Sequence, residues 1–424
     1  MGEGFLTYLW KRNIWLNLNI QTTDGSKIEV QYPGELNTNQ GPDFSFAKLK
    51  IGEILWVGHV EIHYKSSDWI KHNHTTDSNY HNVILHVVWI HDQEIIINGV
   101  QLPTFELSKF NFNSEKLVYD NLLDNNDPIP CAKLLAKVPS LYVISQLEWA
   151  SIERLENKTI QLKNLLDENN QDWEYTFYKY LCRYLVSPNN VEAMEILTNK
   201  ISWKEINKQR TDLINLETLF LGTSGMLNIE SQEDYVLDLQ NRFLHLKNKL
   251  HIVPMNVKNW FYLRLRPNHF PSLRIAQIAS FLHFIERPFQ RILESNNLID
   301  AWKLLDIEVS TYWKTHYQLG HSNNKSIHSH IGESTKNIIF INVVVPMLFM
   351  YGELTINPSI RSKALNWMEE LKAENNKYTR IWEALGIKML GARQSQGCLQ
   401  QYLTWCTNKK CLDCKIGNFI INKA

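Results

Sequence analysis

The hydrophobic pattern changes texture near residue 125. Ahead of that point, apolar residues come in short alternating runs; from Ser140 onward they recur at helical spacing almost throughout. Side chains alternate faces along a strand and return to one face every three to four residues along a helix, so two kinds of structure are expected in series. The predicted class is α+β: a small mixed β-sheet domain over residues 1–125, then a larger all-helical domain over 126–424. Gly and Pro number only 17 and 13 in 424 residues, which favours long helices in the second part.

Local signals fill in this outline. Asp24-Gly25 and Asn98-Gly99 read as hairpin turns, and Ile51-Gly52-Glu53 as the turn between strands over 44–50 and 54–65. Residues 83–90 read as a strongly apolar strand. The run Asp124-Asn-Asn-Asp-Pro128 is the best linker, and a long helix over 141–166 is expected, with Ser140 as its cap. No secretory signal or myristoylation pattern is read at the start. The most apolar stretch, 338–351, is interrupted by Asn342 and Pro346 and is too short to span a bilayer, which takes about 20 residues. A cytoplasmic protein without a membrane partner is expected, and in that setting its six cysteines are thiols or metal ligands rather than disulfides.

The chemistry concentrates in residues 37–88. On a strand over 56–65, one face carries Trp56, Gly58, Val60, Ile62 and Tyr64 and is expected to be core. The other carries Val57, His59, Glu61, His63 and Lys65. Asp43 follows a Gly-Pro turn and enters the strand hairpinned to that of Glu61. Two carboxylates on adjacent strands can share a Mg²⁺ (or Mn²⁺) ion, which prefers oxygen ligands, while His63 or Lys65 orients water or phosphate. His72 and His74 offer zinc-ligand chemistry or phosphate contact, with Asp77 and mid-strand His86 as accessory candidates.

Pro42-Asp43 followed by Glu61-Ile62-His63 resembles the PD-(D/E)XK, or restriction-endonuclease-like, nucleases, whose pattern is Pro-Asp, a β-turn, then Glu-x-Lys. His63 stands where that superfamily usually has Lys, and Lys65 lies two residues on. The resemblance implies a metal-dependent phosphodiesterase acting on DNA or RNA, with Asp43, Glu61, His63 and Lys65 as its catalytic set. A non-catalytic nucleic-acid or protein-binding module on a degenerate nuclease fold, and a zinc hydrolase centred on His63, His72 and His74, are the alternatives.

Two further features lie outside the sheet. Cys406, Cys411 and Cys414 have the C-x₄-C-x₂-C spacing of a metal site within a Cys-rich end, 398–414. Cys398 or Cys131 could supply a fourth ligand. Cys131 would tie the ends of the helical domain together around Zn²⁺ or a [4Fe-4S] cluster, an arrangement similar to the iron–sulfur-stapled nucleases. The formal net charge is zero, which excludes a uniformly basic nucleic-acid binder. Yet residues 242–291 hold nine basic residues against Glu286 alone, interleaved with aromatics. Lys258, Arg264, Arg266 and Arg274 are therefore candidates for gripping nucleic acid, by phosphate contact with bases stacked on the aromatics.

Taken together, Asn39-Gln-Gly-Pro-Asp-Phe44, Val60-Glu-Ile-His63, Ser67-Asp-Trp69, His72-Asn-His74, Ile129-Pro-Cys131, Arg264-Leu-Arg-Pro267 and the cysteine ending resemble an uncharacterised bacterial family, domain-of-unknown-function family 2851. That likeness implies that the sheet motifs and the cysteines travel together in one protein.

Overall fold

The computed structural model describes residues 2–12, 14–15, 18–323 and 325–423. It comprises a sheet-bearing unit, residues 1–146 with 402–424, and a helical unit, residues 147–401. A sheet domain followed by a mostly helical region is thus present. The difference from the outline above is that the C-terminal segment, with three of the cysteines, belongs to the sheet-bearing unit.

That unit opens with helix α1 (Glu3–Lys11), whose Phe5, Leu6, Leu9 and Trp10 are buried. The strands are β1 (Ile20–Gln21), β2 (Lys27–Tyr32), β3 (Glu35–Leu36), β4 (Phe44–Ile51) and β5 (Ile54–Lys65), then β6 (Val83–Ile90), β7 (Ile96–Ile97), β8 (Val100–Gln101) and β9 (Thr104–Glu106). The main sheet runs β1-β2-β4-β5-β6-β9, with β3 on β4. Neighbours are antiparallel as far as β5, and β5–β6 and β6–β9 are parallel. The hairpin turns read from Asp24-Gly25, Gly52 and Asn98-Gly99 each join an antiparallel pair.

A parallel pair needs a crossover, and residues 66–82 supply it through helix α2 (Asp68–Lys71) and a 3₁₀ turn, Ser78–Tyr80. The crossover is pinned at its start: Asp68 Oδ2 accepts the Lys65 N–H at 2.9 Å, and Asp92 accepts the Ser67 N–H at 2.9 Å. Trp69 is fully buried in a cluster with Tyr80, Val83, Ile95 and Leu102. At Gly58 the two parallel strands approach so closely that a Cβ would lie 2.4 Å from Ile84 Cγ2. Strand β6 is buried from Val83 to Val88, as a central parallel strand should be.

Trp56 departs from the core face expected of it and is 40% exposed. The reason is register. β6 pairs with β5 only from His59 onward, so residues 54–57 have β4 alone beside them and project as a hairpin end.

A helix runs over Ser140–Glu168, close to the 141–166 expected. The stretch around 338–351 lies in a longer helical run than its breakers suggested. Glu333–Ile339, a π-segment Phe340–Val344 and Val345–Leu354 follow one another without interruption. By length and composition this run could cross a bilayer, but 72% of its apolar window is buried inside the protein, the packing of a core helix.

Candidate functional site

Asp43 and Glu61 are locked together across β4 and β5. The Asp43 N–H donates to Glu61 Oε2 at 3.0 Å, and Asp43 Oδ2 accepts the Ile62 N–H at 2.9 Å. The loop before Asp43 is held by Asn37, whose amide donates to the carbonyls of Gln40 and Pro42 at 3.2 and 3.0 Å. Each carboxylate keeps one oxygen outside this reciprocal pairing. Burial, ahead of the Glu3 charge, raises the Asp43 pKa to about 6 even though the Ile62 N–H opposes it. Burial, then the charge on Asp43, raises Glu61 to about 9.

The polar face of β5 is covered by the crossover, which brings histidines from two chain segments onto it. His63 Nε2 lies 3.0 Å from His72 Nδ1 and 3.5 Å from Glu61 Oε1. His74 Nε2 lies 3.4 Å from the same Glu61 oxygen. One ligand atom from each of His63, His72 and His74 can be chosen so that all lie within 4.8 Å of one another. His63 is buried, His74 half-buried and His72 exposed, so the cluster opens to solvent on one side.

Local chemistry explains the convergence. Asn73 adopts a left-handed conformation, φ 60°, which asparagine tolerates better than most residues. The chain doubles back there, with the His74 N–H bonding the Trp69 carbonyl at 3.2 Å. The His74 ring then stacks on Tyr80, centroids 3.7 Å apart. Trp69 sits edge-on to His63, its Nε1–H donating to Thr75 Oγ1 at 3.2 Å.

His86 stands behind His63. It is fully buried on β6, in register with Glu61, and its Nε2 is 2.9 Å from His63 Nδ1. If His63 donates from Nδ1 to His86, its Nε2 lone pair is aimed at His72 and Glu61. That is how a partner behind a metal-ligating histidine fixes its tautomer. Burial, then the neighbouring imidazoles His72 and His74, depresses the His63 pKa to about 3. Burial likewise carries His86 well below its ordinary value. Both rings are held neutral, the form that binds metal.

Asp43, Glu61, His63, His72, His74 and His86 therefore meet in one place. Lys65 lies exposed at the end of β5, and Asp77 caps the 3₁₀ turn by accepting the Asn79 N–H at 2.9 Å. A third carboxylate, Glu3 on α1, raises the pKa of both Asp43 and Glu61, although no sequence pattern linked it to them.

In the helical unit, Lys258, Arg264 and Arg266 are exposed. Arg274, expected at a phosphate, is 2% exposed instead. Its guanidinium donates to Gln277 Oε1 at 2.8 Å and lies 2.9 Å from His269 Nδ1, so it is committed to the interior. Cys131, Cys406, Cys411 and Cys414 are all buried, and all fall in the sheet-bearing unit.

Against known proteins, a family described as "Protein of unknown function (DUF2851)" matches residues 3–377, and the chain belongs to that family. No curated protein and no solved structure matches it.

Proposed function

We propose that this DUF2851 family member is a metal-dependent hydrolase of phosphodiester bonds in DNA or RNA, its ion held by His63, His72, His74 and Glu61. The observation that carries the reading is the convergence of three imidazoles within 4.8 Å, with the Glu61 oxygen 3.4–3.5 Å from two of them. Three nitrogen donors beside one oxygen suit Zn²⁺ or Mn²⁺ better than Mg²⁺, which favours oxygen. When bound, such an ion polarises a phosphoryl oxygen and acidifies its water.

The chain's own residues would do the rest. His86 holds the His63 tautomer. Asp43, beside Glu61 but outside the imidazole group, would accept the proton of the attacking water. Lys65, at the open end of β5, would meet substrate charge. The phosphodiester class is supported by the order of the motif on the sheet: Pro42-Asp43 leads into β4, the Gly52 turn joins β4 to the antiparallel β5, and β5 carries Glu61-Ile62-His63. That is the order of Pro-Asp, β-turn and Glu-x-Lys/His on which the PD-(D/E)XK resemblance rests. The exposed cations Lys258, Arg264 and Arg266 support a polyanionic substrate.

A second reading, a nucleic-acid or protein-binding module without turnover, is favoured by His63 standing where a catalytic Lys is usual. The test is incubation of the purified full chain with single- and double-stranded DNA and RNA, in Zn²⁺, Mn²⁺ or Mg²⁺. Cleavage is expected with Zn²⁺ or Mn²⁺ and is lost in Glu61→Gln and in His72→Ala with His74→Ala. Binding without cleavage under every condition selects the second reading. Cleavage that survives the variants overturns the assignment of the site.

A further inference from the structure

We propose that the outer half of the β4–β5 hairpin is a platform for single-stranded nucleic acid, on which Phe46 stacks an unpaired base beside the histidine site. This rests on the nucleic-acid reading above and narrows it: the substrate is a single strand, or a duplex already opened, and not an intact duplex.

The register of the hairpin breaks beside the site. Phe44 pairs with Val60 and Ala47 with Gly58, so Ser45 and Phe46 together oppose His59 alone. Such a β-bulge re-aims a side chain and recurs next to active sites. The backbone at Phe46 is left-handed, φ 59°, a conformation that bulky residues rarely take. Strain of this kind persists where the surrounding structure enforces it, and it gathers at binding sites. Core packing does not offset it here. The Phe46 ring is 66% exposed, and it meets the His59 ring edge-on, centroids 6.0 Å apart and planes at 64°.

The bulge also places the ring. Side chains two apart on a strand share a face, and residues paired across strands share it too. His59 therefore lies on the face of Glu61 and His63, and Phe46 joins them from β4. From His59 to Glu61 is about 7 Å along the strand, the reach of one or two nucleotides. The next row outward on the same face is Tyr32, Lys48 and Val57, in register on β2, β4 and β5. Tyr32 is 42% and Val57 66% exposed, and Lys48 is exposed as well. Lys50, one row further out, is paired with Glu53 at 3.6 Å, whereas Lys48 has no ion pair among the described residues. The face is thus buried at Glu61 and His63 and open from Phe46 outward.

Two exposed aromatic rings with an unpaired ammonium between their rows match a single strand: π faces for its bases and a cation for its phosphates. The face runs without a break into Glu61 and His63, so a strand lying along β5 would carry a stacked base on Phe46 and a phosphate at the histidines. A duplex keeps its base faces inside its own stack and cannot use these rings. A second copy of the chain could instead add to the open edge of residues 54–57. Such pairing works through backbone groups of β5 and leaves the strained ring on β4 without a role.

The experiment compares wild type, Phe46→Gly and Phe46→Tyr in the full chain. Glycine takes a left-handed backbone without steric cost, so Phe46→Gly removes the ring and the strain together and should melt at or above the wild-type temperature. Binding is read by fluorescence anisotropy in EDTA, with a labelled oligothymidylate and with a DNA duplex of the same length. Wild type is expected to prefer the single strand. Phe46→Gly should weaken that binding roughly 5–150-fold, the loss of one stacked base, and leave duplex binding unchanged. Phe46→Tyr should restore it. A wild-type preference for duplex, or wild-type single-strand binding by Phe46→Gly, overturns the proposal. So does a Phe46→Gly chain that melts well below wild type, because the ring then serves the fold. A loss of binding that tracks a change in oligomeric state by sedimentation also overturns it, in favour of a second copy of the chain. Because the chelator removes metal, the assay does not depend on cleavage. Phe46-dependent binding by a chain that never cuts supports the platform and refutes the hydrolase, while cleavage indifferent to Phe46→Gly does the reverse.

Discussion

His86→Leu separates a metal-positioning role from a packing role. The imidazole is fully buried, makes one hydrogen bond, to His63 Nδ1 at 2.9 Å, and leaves its own Nδ1 without a partner. Leucine leaves His63 Nδ1 unpaired, which costs about 1–3 kcal/mol. It also removes the orphaned His86 nitrogen and puts an apolar side chain beside Trp69, recovering about 1.5–3 kcal/mol. The two contributions nearly cancel, so the metal-free chain should stay within about 1 kcal/mol of wild-type stability. Metal binding should not escape so lightly. Losing the group that fixes a ligating histidine weakens affinity roughly 10–100-fold, or about 1.4–2.8 kcal/mol. The stabilisation conferred by saturating metal shrinks by the same amount. Zinc titration against a chromophoric chelator reads the affinity, and denaturant melts with and without zinc read both stabilities. An unchanged zinc affinity would refute the role given to His86. So would a large loss of stability in the metal-free chain with zinc binding intact.

Gly58→Ala should force β5 and β6 apart, because the new Cβ would lie 2.4 Å from Ile84 Cγ2 and 2.5 Å from the Asn82 carbonyl oxygen. A stability loss of about 1–3 kcal/mol in urea is expected, with weaker metal binding since His86 rides on β6. Lys158 in the helical unit donates to Asn342 Oδ1 at 2.7 Å, and burial, then the nearby Arg154 charge, lowers its pKa from 10.5 to about 7. Between those values the unfolded chain binds more protons than the folded one, so this lysine's contribution makes stability rise with pH from about 7 to about 10.5, a rise that Lys158→Met should remove in melts across that range. Arg264→Ala with Arg266→Ala should lower the slope of log affinity for nucleic acid against log salt by about 1.4–1.8, read by fluorescence anisotropy; an unchanged slope removes these residues from the interface.

Much of the scaffold was legible because it rests on local rules. β6 occupies the apolar run 83–90, and the long helix starts at its Ser140 signal. Asp43 and Glu61 could be paired in advance because a single two-residue turn at Gly52 links their strands. What escaped required contacts between distant segments. Trp56 looked like core from alternation alone, but alternation does not say how far the neighbouring strand extends. His72 and His74 carried only a weak zinc signal until the crossover folded them onto β5. Arg274 counted as a surface cation because charge in a sequence carries no record of burial. Glu3 gave no signal, since its neighbours lie some forty residues and more along the chain.

The most direct measurement is anomalous diffraction from crystals of the full chain soaked in Zn²⁺ or Mn²⁺. The expected result is a peak bonded to His63 Nε2, His72, His74 and Glu61, with His86 still hydrogen-bonded behind His63. A peak between Asp43 and Glu61 away from the imidazoles, or none at either place, would contradict the histidine-centred site.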